Sequence, residues 1–250
     1  MLRSLLYYLL VALLSIVVSV LFMITAPILS QRWRYKIVSN SNCMVINWMR
    51  LICGVRYEVY GKQHICRDQP MVLACNHQGE WETFFLLTLG IPASIVLKRE
   101  LLMIPFFGWI LAMTQPIAID RSRKTNAFKQ LIIQGLKRLH RGYSVIVFPQ
   151  GTRLPPGQDG TYSKGAVSLA CKAGVPILPI VQNSGELVPP RSWVKQSGTV
   201  TVIIGPPLEV AGRSNNDVHE ELVSWMTDHL HSITSPQYLA TSVQSTCRKG

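Results

Sequence analysis

Hydrophobic positions along this chain fall into two kinds of pattern. Residues 5–29 run for 25 positions without a charge (LLYYLLVALLSIVVSVLFMITAPIL). As a helix such a run reaches roughly 37 Å at 1.5 Å per residue, against about 30 Å for the hydrocarbon core of a bilayer. A secretory signal peptide has a shorter core, roughly 7–15 residues, and a small-residue cleavage site. The pattern therefore predicts a retained membrane-anchoring helix, either spanning or lying in one leaflet. Arg3 precedes the run, and Arg32, Arg34 and Lys36 follow it. The heavier positive flank is C-terminal, which places the rest of the chain on the cytoplasmic side of an inner membrane. A second apolar segment, residues 43–55, carries only Arg50 and is too short to span. It reads equally as an interfacial helix, with Trp48 and Arg50 at headgroup level, or as a buried helix.

Beyond residue 54 the pattern changes to short alternating units. Residues 54–61 (GVRYEVYG) alternate as an edge-like strand, and apolar runs of strand length occur at 71–75, 94–97, 117–119, 145–148, 177–181 and 199–204. Helix-period segments lie at 81–89, 126–141, 162–173 and 216–233. In the second of these Phe128, Leu131, Ile132, Leu136 and Leu139 share a face, while Lys129, Lys137 and Arg138 lie elsewhere. Gly174 closes the third. Asn215 or Asn216 caps the fourth, with Asp217, Glu220 and Glu221 in its early turns. Strands alternating with helices predict an α/β fold: a mostly parallel central sheet flanked by helices on both faces. RLPPGQDG at 153–160 reads as a loop, and residues 235–250 show no periodicity and are expected to fray. Three parts result: an anchor and interfacial segment at 1–54, an α/β domain at 55–235, and a tail at 236–250.

Charge adds a constraint. The 250 residues hold 25 Lys and Arg against 13 Asp and Glu, a net charge of +12. This composition excludes an acidic disordered protein, a collagen and a disulfide knot. The positive excess asks for an anionic partner: nucleic acid, a membrane surface or a phosphate-bearing substrate. Six cysteines occur with no CxxC and no zinc-type spacing. They read as reduced, small apolar residues.

Four blocks carry candidate chemistry. The first is Asn76-His77-Gln78-Gly79-Glu80-Trp81-Glu82, at the end of a buried strand, where α/β proteins place ligands. On one straight helix His77 and Glu82 would point about 140° apart, so they meet only across a strand-to-helix junction. A carboxylate there fixes the imidazole tautomer and leaves one nitrogen as a base. Glu80 is the rival partner. The remaining histidines (64, 140, 219, 229, 231) read as solvated. The second block holds Lys98 and Arg99 after one strand, Pro105-Phe106-Phe107-Gly108-Trp109, and Arg121 after the next strand. These basic groups either converge on an anion or simply face water. The third is Phe148-Pro149-Gln150-Gly151-Thr152-Arg153. Gly151 lets the backbone approach a ligand, and Arg153 offers a planar fork suited to phosphate. The fourth, Val175-Pro176-Ile177-Leu178-Pro179-Ile180, reads as core packing, with Asn183-Ser184-Gly185 after it.

In this order the blocks NHQxxxE, KREL…PFFGW…IDR, FPQGTR and GVPILPI resemble the 1-acyl-glycerol-3-phosphate acyltransferases, over about residues 55–205. The resemblance implies a glycerolphosphate acyltransferase-like α/β fold behind an anchored, basic N-terminus. It implies acyl transfer from acyl-CoA or acyl carrier protein to the sn-2 hydroxyl of lysophosphatidate, giving phosphatidic acid in phospholipid biosynthesis. His77 matches the family's catalytic base and Glu82 its acidic partner, which is usually Asp. Gly151, Thr152 and Arg153 match its phosphate-recognising triplet. Gln150 stands where the family usually has Glu, which removes a charge from that position.

On this reading the substrate hydroxyl is itself the nucleophile, in keeping with the absence of a GxSxG elbow. HExxH, GxxxxGK[ST] and GxGxxG are also absent, so no metal and no cofactor is expected. Arg153 binds the glycerol phosphate, with Lys98 or Arg121. The alternatives are another lyso-glycerolipid or aminoacyl lipid as acceptor, or a catalytically weak lipid-binding homologue. Six basic residues against Glu58 put five of the net positive charges in the first 60 residues, beside apolar segments. Membrane attachment and phosphate handling then account for the charge without nucleic acid.

Overall fold

The computed structural model describes residues 1–25, 28–120, 124–158 and 160–239. Among them, all seven segments form strands: β1 (Val55–Tyr60), β2 (Val72–Cys75), β3 (Ala93–Lys98), β4 (Ile117–Ile119), β5 (Ser144–Val147), β6 (Ile177–Gln182) and β7 (Gly198–Ile204). They make one sheet in the order β1-β7-β6-β2-β5-β3-β4. The block from β6 to β4 is parallel. β7 runs antiparallel to β6, and β1 runs parallel to β7. The mostly parallel sheet expected from the sequence is therefore present, with a reversed pair at one edge.

Helices cover both faces: α1 (Leu2–Thr25), α2 (Gln31–Cys53), α3 (Trp81–Leu86) and α4 (Phe107–Met113) on one side, and α5 (Lys124–Leu139), α6 (Gly165–Ala173) and α7 (Asn215–Ile233) on the other. The pleat of β2 shows the division. Leu73 and Cys75 enter the core beneath α1–α4, while Val72 and Ala74 enter the core beneath α5–α7. A strand buried on both faces must be apolar throughout, and truncating Leu73 to Ala would destabilise by about 2–5 kcal/mol.

Several boundaries differ from the sequence reading. Residues 43–53 are the second half of a 23-residue helix, α2, rather than a separate segment, and Val55 already belongs to β1. Tyr35, Val38, Asn42, Val45, Ile46, Met49 and Cys53 form its buried stripe. Arg32, Arg34 and Lys36, together with the polar run 39–42, mask the first half of that stripe in the sequence. Gly54 ends the helix in the left-handed region at φ 75° and returns its N–H to the Arg50 carbonyl. Helix α3 stops at Leu86, and α6 starts at Gly165. Ser214, not Asn215 or Asn216, caps α7, its hydroxyl accepting the Asp217 N–H at 3.2 Å. His64 and His229 are not simply solvated: His64 Nδ1 lies 2.8 Å from the Ile204 carbonyl, and the His229 ring stacks on Trp225.

Among the described residues one helix, α1, is long and apolar enough to cross a membrane. It is nonetheless fastened along its length. The Ser4 hydroxyl accepts the Lys195 N–H at 2.9 Å, the Tyr8 hydroxyl donates to Glu80 at 2.8 Å, and the Ser19 hydroxyl donates to the Phe106 carbonyl at 2.6 Å. These contacts span roughly 22 Å of helix. Its outer side leaves Leu6, Leu9, Leu13, Val17 and Leu21 exposed.

Candidate active site

Parallel strands put their C-terminal ends on one edge of the sheet, where loops collect. β2 lies between β5 and β6. The loop carrying His77 is therefore flanked by the loop carrying Gln150 to Arg153 and by the segment Asn183–Gly185. Asn76 ties the last of these in place. Its side-chain carbonyl accepts the Gln182 N–H at 2.9 Å, and its amide donates to the Gln182 carbonyl at 2.8 Å.

His77 and Glu82 meet across the junction of β2 and α3, with Nδ1 and Oε1 2.8 Å apart. An ionised carboxylate only accepts, so the proton sits on Nδ1 and Nε2 is the bare nitrogen. Glu82 is fully buried. The same Oε1 accepts the N–H groups of Gln78 and Gly79, each at 2.8 Å, and Oε2 accepts the Ser184 hydroxyl at 2.9 Å. Burial alone would raise this carboxyl's pKa; the hydrogen bond and charge of His77, with the Gly79 N–H, outweigh it and hold the group below the usual carboxylate range. Gly79 is required for the loop's close approach, since a β-carbon there would lie 2.6 Å from the Val188 carbonyl oxygen. The imidazole ring stacks on Phe148, centroids 4.2 Å apart.

Glu80, the rival partner, is engaged elsewhere. Its Oε1 accepts from Tyr8 and lies 3.0 Å from the ammonium of Lys195. That lysine side chain is only 1% exposed, and it also donates to the Tyr8 hydroxyl at 2.5 Å.

The third block closes against the first. The Gln150 side-chain carbonyl accepts the His77 N–H at 2.8 Å, and the His77 carbonyl accepts the Leu154 N–H at 2.8 Å. Position 150 thus needs an acceptor rather than a charge, and Gln and Glu both supply one. Gly151 sits at φ 69° and returns its N–H to the Phe148 carbonyl, so that donor is used inside the turn. Thr152 is exposed and lines a cavity of about 640 Å³ with Phe148, Gln150 and Tyr162. Arg153 is exposed and makes no ion pair with another described residue. It shares the wall of an apolar cavity of about 270 Å³ with Tyr8, Val11, Leu14, Glu80 and Leu87.

Comparison with known proteins now decides the family. The acyltransferase family model matches residues 56–183. The 1-acyl-sn-glycerol-3-phosphate acyltransferase of Pseudomonas aeruginosa is 43% identical over 239 residues, covering 94% of this chain and 93% of that protein. The chain belongs to the acyltransferase family. The human 1-acyl-sn-glycerol-3-phosphate acyltransferase alpha is 32% identical over 173 residues, covering 68% of this chain and 61% of its own length. In fold, the chain matches the crystal structure of the 1-acyl-sn-glycerophosphate acyltransferase PlsC from Thermotoga maritima. That match has a TM-score of 0.78 at 20% identity and covers 93% of this chain and 96% of that one.

Within this acyltransferase, the structure gathers His77, Glu82, Gln150 and Arg153 at one edge of the sheet, and Lys98, which ends β3 at the same edge, stands apart from them. Lys98 has a half-exposed side chain 3.7 Å from Glu100 and lies outside the walls of both cavities. Basic residues at a strand end need not converge, because charged side chains gain by staying in water. Arg121 lies outside the described residues. The sequence reading missed Ser184 and Lys195, which are 102 residues from Glu82 and 115 from Glu80. Ser184 had one usable signal: it follows the end of β6, on the same edge as His77.

Proposed function

We propose that the chain transfers a fatty acyl group from an acyl thioester to the sn-2 hydroxyl of 1-acyl-glycerol-3-phosphate. His77 Nε2 takes the hydroxyl proton as that oxygen attacks the thioester carbonyl. Glu82 stabilises the resulting imidazolium. Collapse of the tetrahedral adduct breaks the carbon–sulfur bond, and the imidazolium returns its proton to the departing thiolate. Phosphatidate and free thiol are the products. Arg153, together with Arg121, holds the acceptor's phosphate, with Gly151 and Thr152 shaping the loop beneath it. Lys98 stays at the periphery. The observation that carries the reading is a His77–Glu82 couple with a buried carboxylate, beside which an apolar cavity has Glu80 and Arg153 in its wall. Such a cavity fits an amphiphile that joins a fatty chain to a phosphate.

Acyl-CoA or acyl carrier protein supplies the thioester. Residues 1–54 attach the chain to the inner membrane, with the 55–235 unit facing the cytoplasm. The attachment is monotopic. A helix fastened to the domain from Ser4 to Ser19 cannot cross a bilayer without breaking those bonds, yet its outer side is apolar. The test is a labelled acyl-thioester assay with the purified full chain and competing lyso-acceptors. Labelled phosphatidate from 1-acyl-glycerol-3-phosphate is expected. Preferred turnover of a lyso-acceptor without a terminal phosphate would overturn the assignment.

A further inference from the structure

The segment between β3 and α4 has an unusual surface. Residues 99–103 form a short 3₁₀ turn, followed by Ile104 and Pro105 and then by α4. Leu102, Phe107 and Ile110 turn inward against the core beneath α1–α4. Met103, Ile104 and Trp109 turn outward and are 79%, 44% and 39% exposed. The Phe106 backbone between them sits at φ 61°, a conformation that non-glycine residues rarely adopt. It is held there on α1, because the Phe106 carbonyl accepts the Ser19 hydroxyl.

Its surroundings are apolar and basic. The last turns of α1 expose Val20, Leu21, Met23 and Ile24. The first turn of α2 is joined to the end of α4 by the Gln31 amide, which donates to the Met113 carbonyl at 2.8 Å. That turn exposes Trp33, with the Lys36 ammonium over its ring at 4.6 Å. Lys98 and Arg99 stand exposed at the base of the segment, with Glu100 exposed beside them and 3.7 Å from the Lys98 ammonium. Contiguous apolar surface of this kind marks an interaction site, and aromatic rings among basic groups suit the headgroup level of a bilayer.

We infer that Met103, Ile104 and Trp109 form a third membrane contact, which inserts into the same leaflet as α1 and carries Lys98 and Arg99 to its anionic headgroups. This rests on the reading that α1 lies in the membrane. The continuity of the patch with α1 and its positive rim favour lipid over a second protein. The position has a purpose. The segment follows β3 on the edge of the sheet that carries His77, so the lipid surface meets the active-site end of the fold. A lysolipid acceptor then reaches Arg153 by moving sideways out of the leaflet, without crossing water.

The experiment places the photoreactive residue p-benzoylphenylalanine at position 103 of the full chain, and separately at positions 13 and 133. Leu13 reports on α1, and Ile133 is an exposed apolar residue on α5, on the opposite face of the sheet. Each protein is irradiated in vesicles of phosphatidylethanolamine and phosphatidylglycerol and analysed by mass spectrometry. Phospholipid adducts are expected at 103 and 13 but not at 133. An adduct at 13 without one at 103, or a protein adduct at 103, overturns the inference while leaving the anchor reading intact. Lipid adducts at neither position overturn both. In parallel, Met103→Asp should raise KM for vesicle-borne acceptor about tenfold, the worth of burying one such side chain. It should leave kcat, and turnover of a short-chain soluble acceptor, unchanged. Equal losses on both acceptors, or none, would contradict it.

Discussion

Glu82 and Arg153 both bring a full charge to the same edge of the sheet, and the fold treats them in opposite ways. Glu82 is fully buried and accepts from His77, Ser184 and two backbone N–H groups. Arg153 is exposed, in a loop whose turn N–H is spent internally. A buried carboxylate is tolerated only when its acceptor sites are filled. An arginine that is to bind a phosphate must remain unpaired until that phosphate arrives. On the proposed function, the proton-handling half of the site is complete before any substrate binds, and the anion-handling half is completed by the substrate. Changes to the first half should damage turnover and stability, whereas changes to the second should damage acceptor affinity alone.

The largest effect is expected for His77→Ala, with kcat reduced about 10²- to 10⁴-fold and, because the buried Glu82 loses a partner, a stability loss of about 1–3 kcal/mol in a protein that still folds. Wild-type kcat in a folded variant would remove His77 from the base role. Glu82→Gln comes next. It keeps the size of the side chain but removes the charge that stabilises the imidazolium. A loss of about 10²-fold in kcat is expected, with a stability loss of about 1–3 kcal/mol at neutral pH. The pH signature has a definite sign. The folded-state pKa of Glu82 is depressed, so its stabilisation is present above the ordinary carboxylate range and lost as pH falls through and below it. Denaturant midpoints of Glu82→Gln should accordingly depend less on pH in that acidic window than those of the native protein.

Arg153→Ala should lower kcat/KM for a phosphate-bearing acceptor about 10- to 100-fold, the worth of charge-assisted hydrogen bonds. Stability should stay within about 0.5 kcal/mol. A monoacylglycerol acceptor, which lacks the phosphate, should show no such loss. Gln150→Glu is predicted to have the smallest effect. Because the position supplies an acceptor to the His77 N–H, kcat should change by only a few-fold. A large loss would mean that the neutral amide has a second task.

How far the sequence carries depends on the range of the interaction. The central strands were legible because burial on both faces demands unbroken apolar runs such as that of β2. His77 and Glu82 were legible because their spacing fits a strand-to-helix junction, although spacing alone does not separate Glu82 from Glu80. That choice is made by Lys195 and Tyr8, which draw Glu80 toward α1. Ser184 and Lys195 reach the site through tertiary folding; Ser184 shows in the sequence only as a residue just past a strand end, and Lys195 leaves no local pattern. The first half of α2 was hidden because its basic and polar residues sit beside a buried stripe that begins at Tyr35. Lys98 stands exposed near Glu100, because a strand end fixes a residue's place along the chain but not the direction of a long, solvated side chain.

The claim that the first half of the site is finished in advance is tested most directly by nitrogen NMR of histidine-labelled full chain, with His77→Ala identifying the resonances. The account predicts that the neutral His77 ring carries its proton on Nδ1 and leaves Nε2 bare, both before and after 1-acyl-glycerol-3-phosphate is added. A neutral ring protonated on Nε2, or one that adopts the Nδ1 form only when the acceptor is bound, would contradict it.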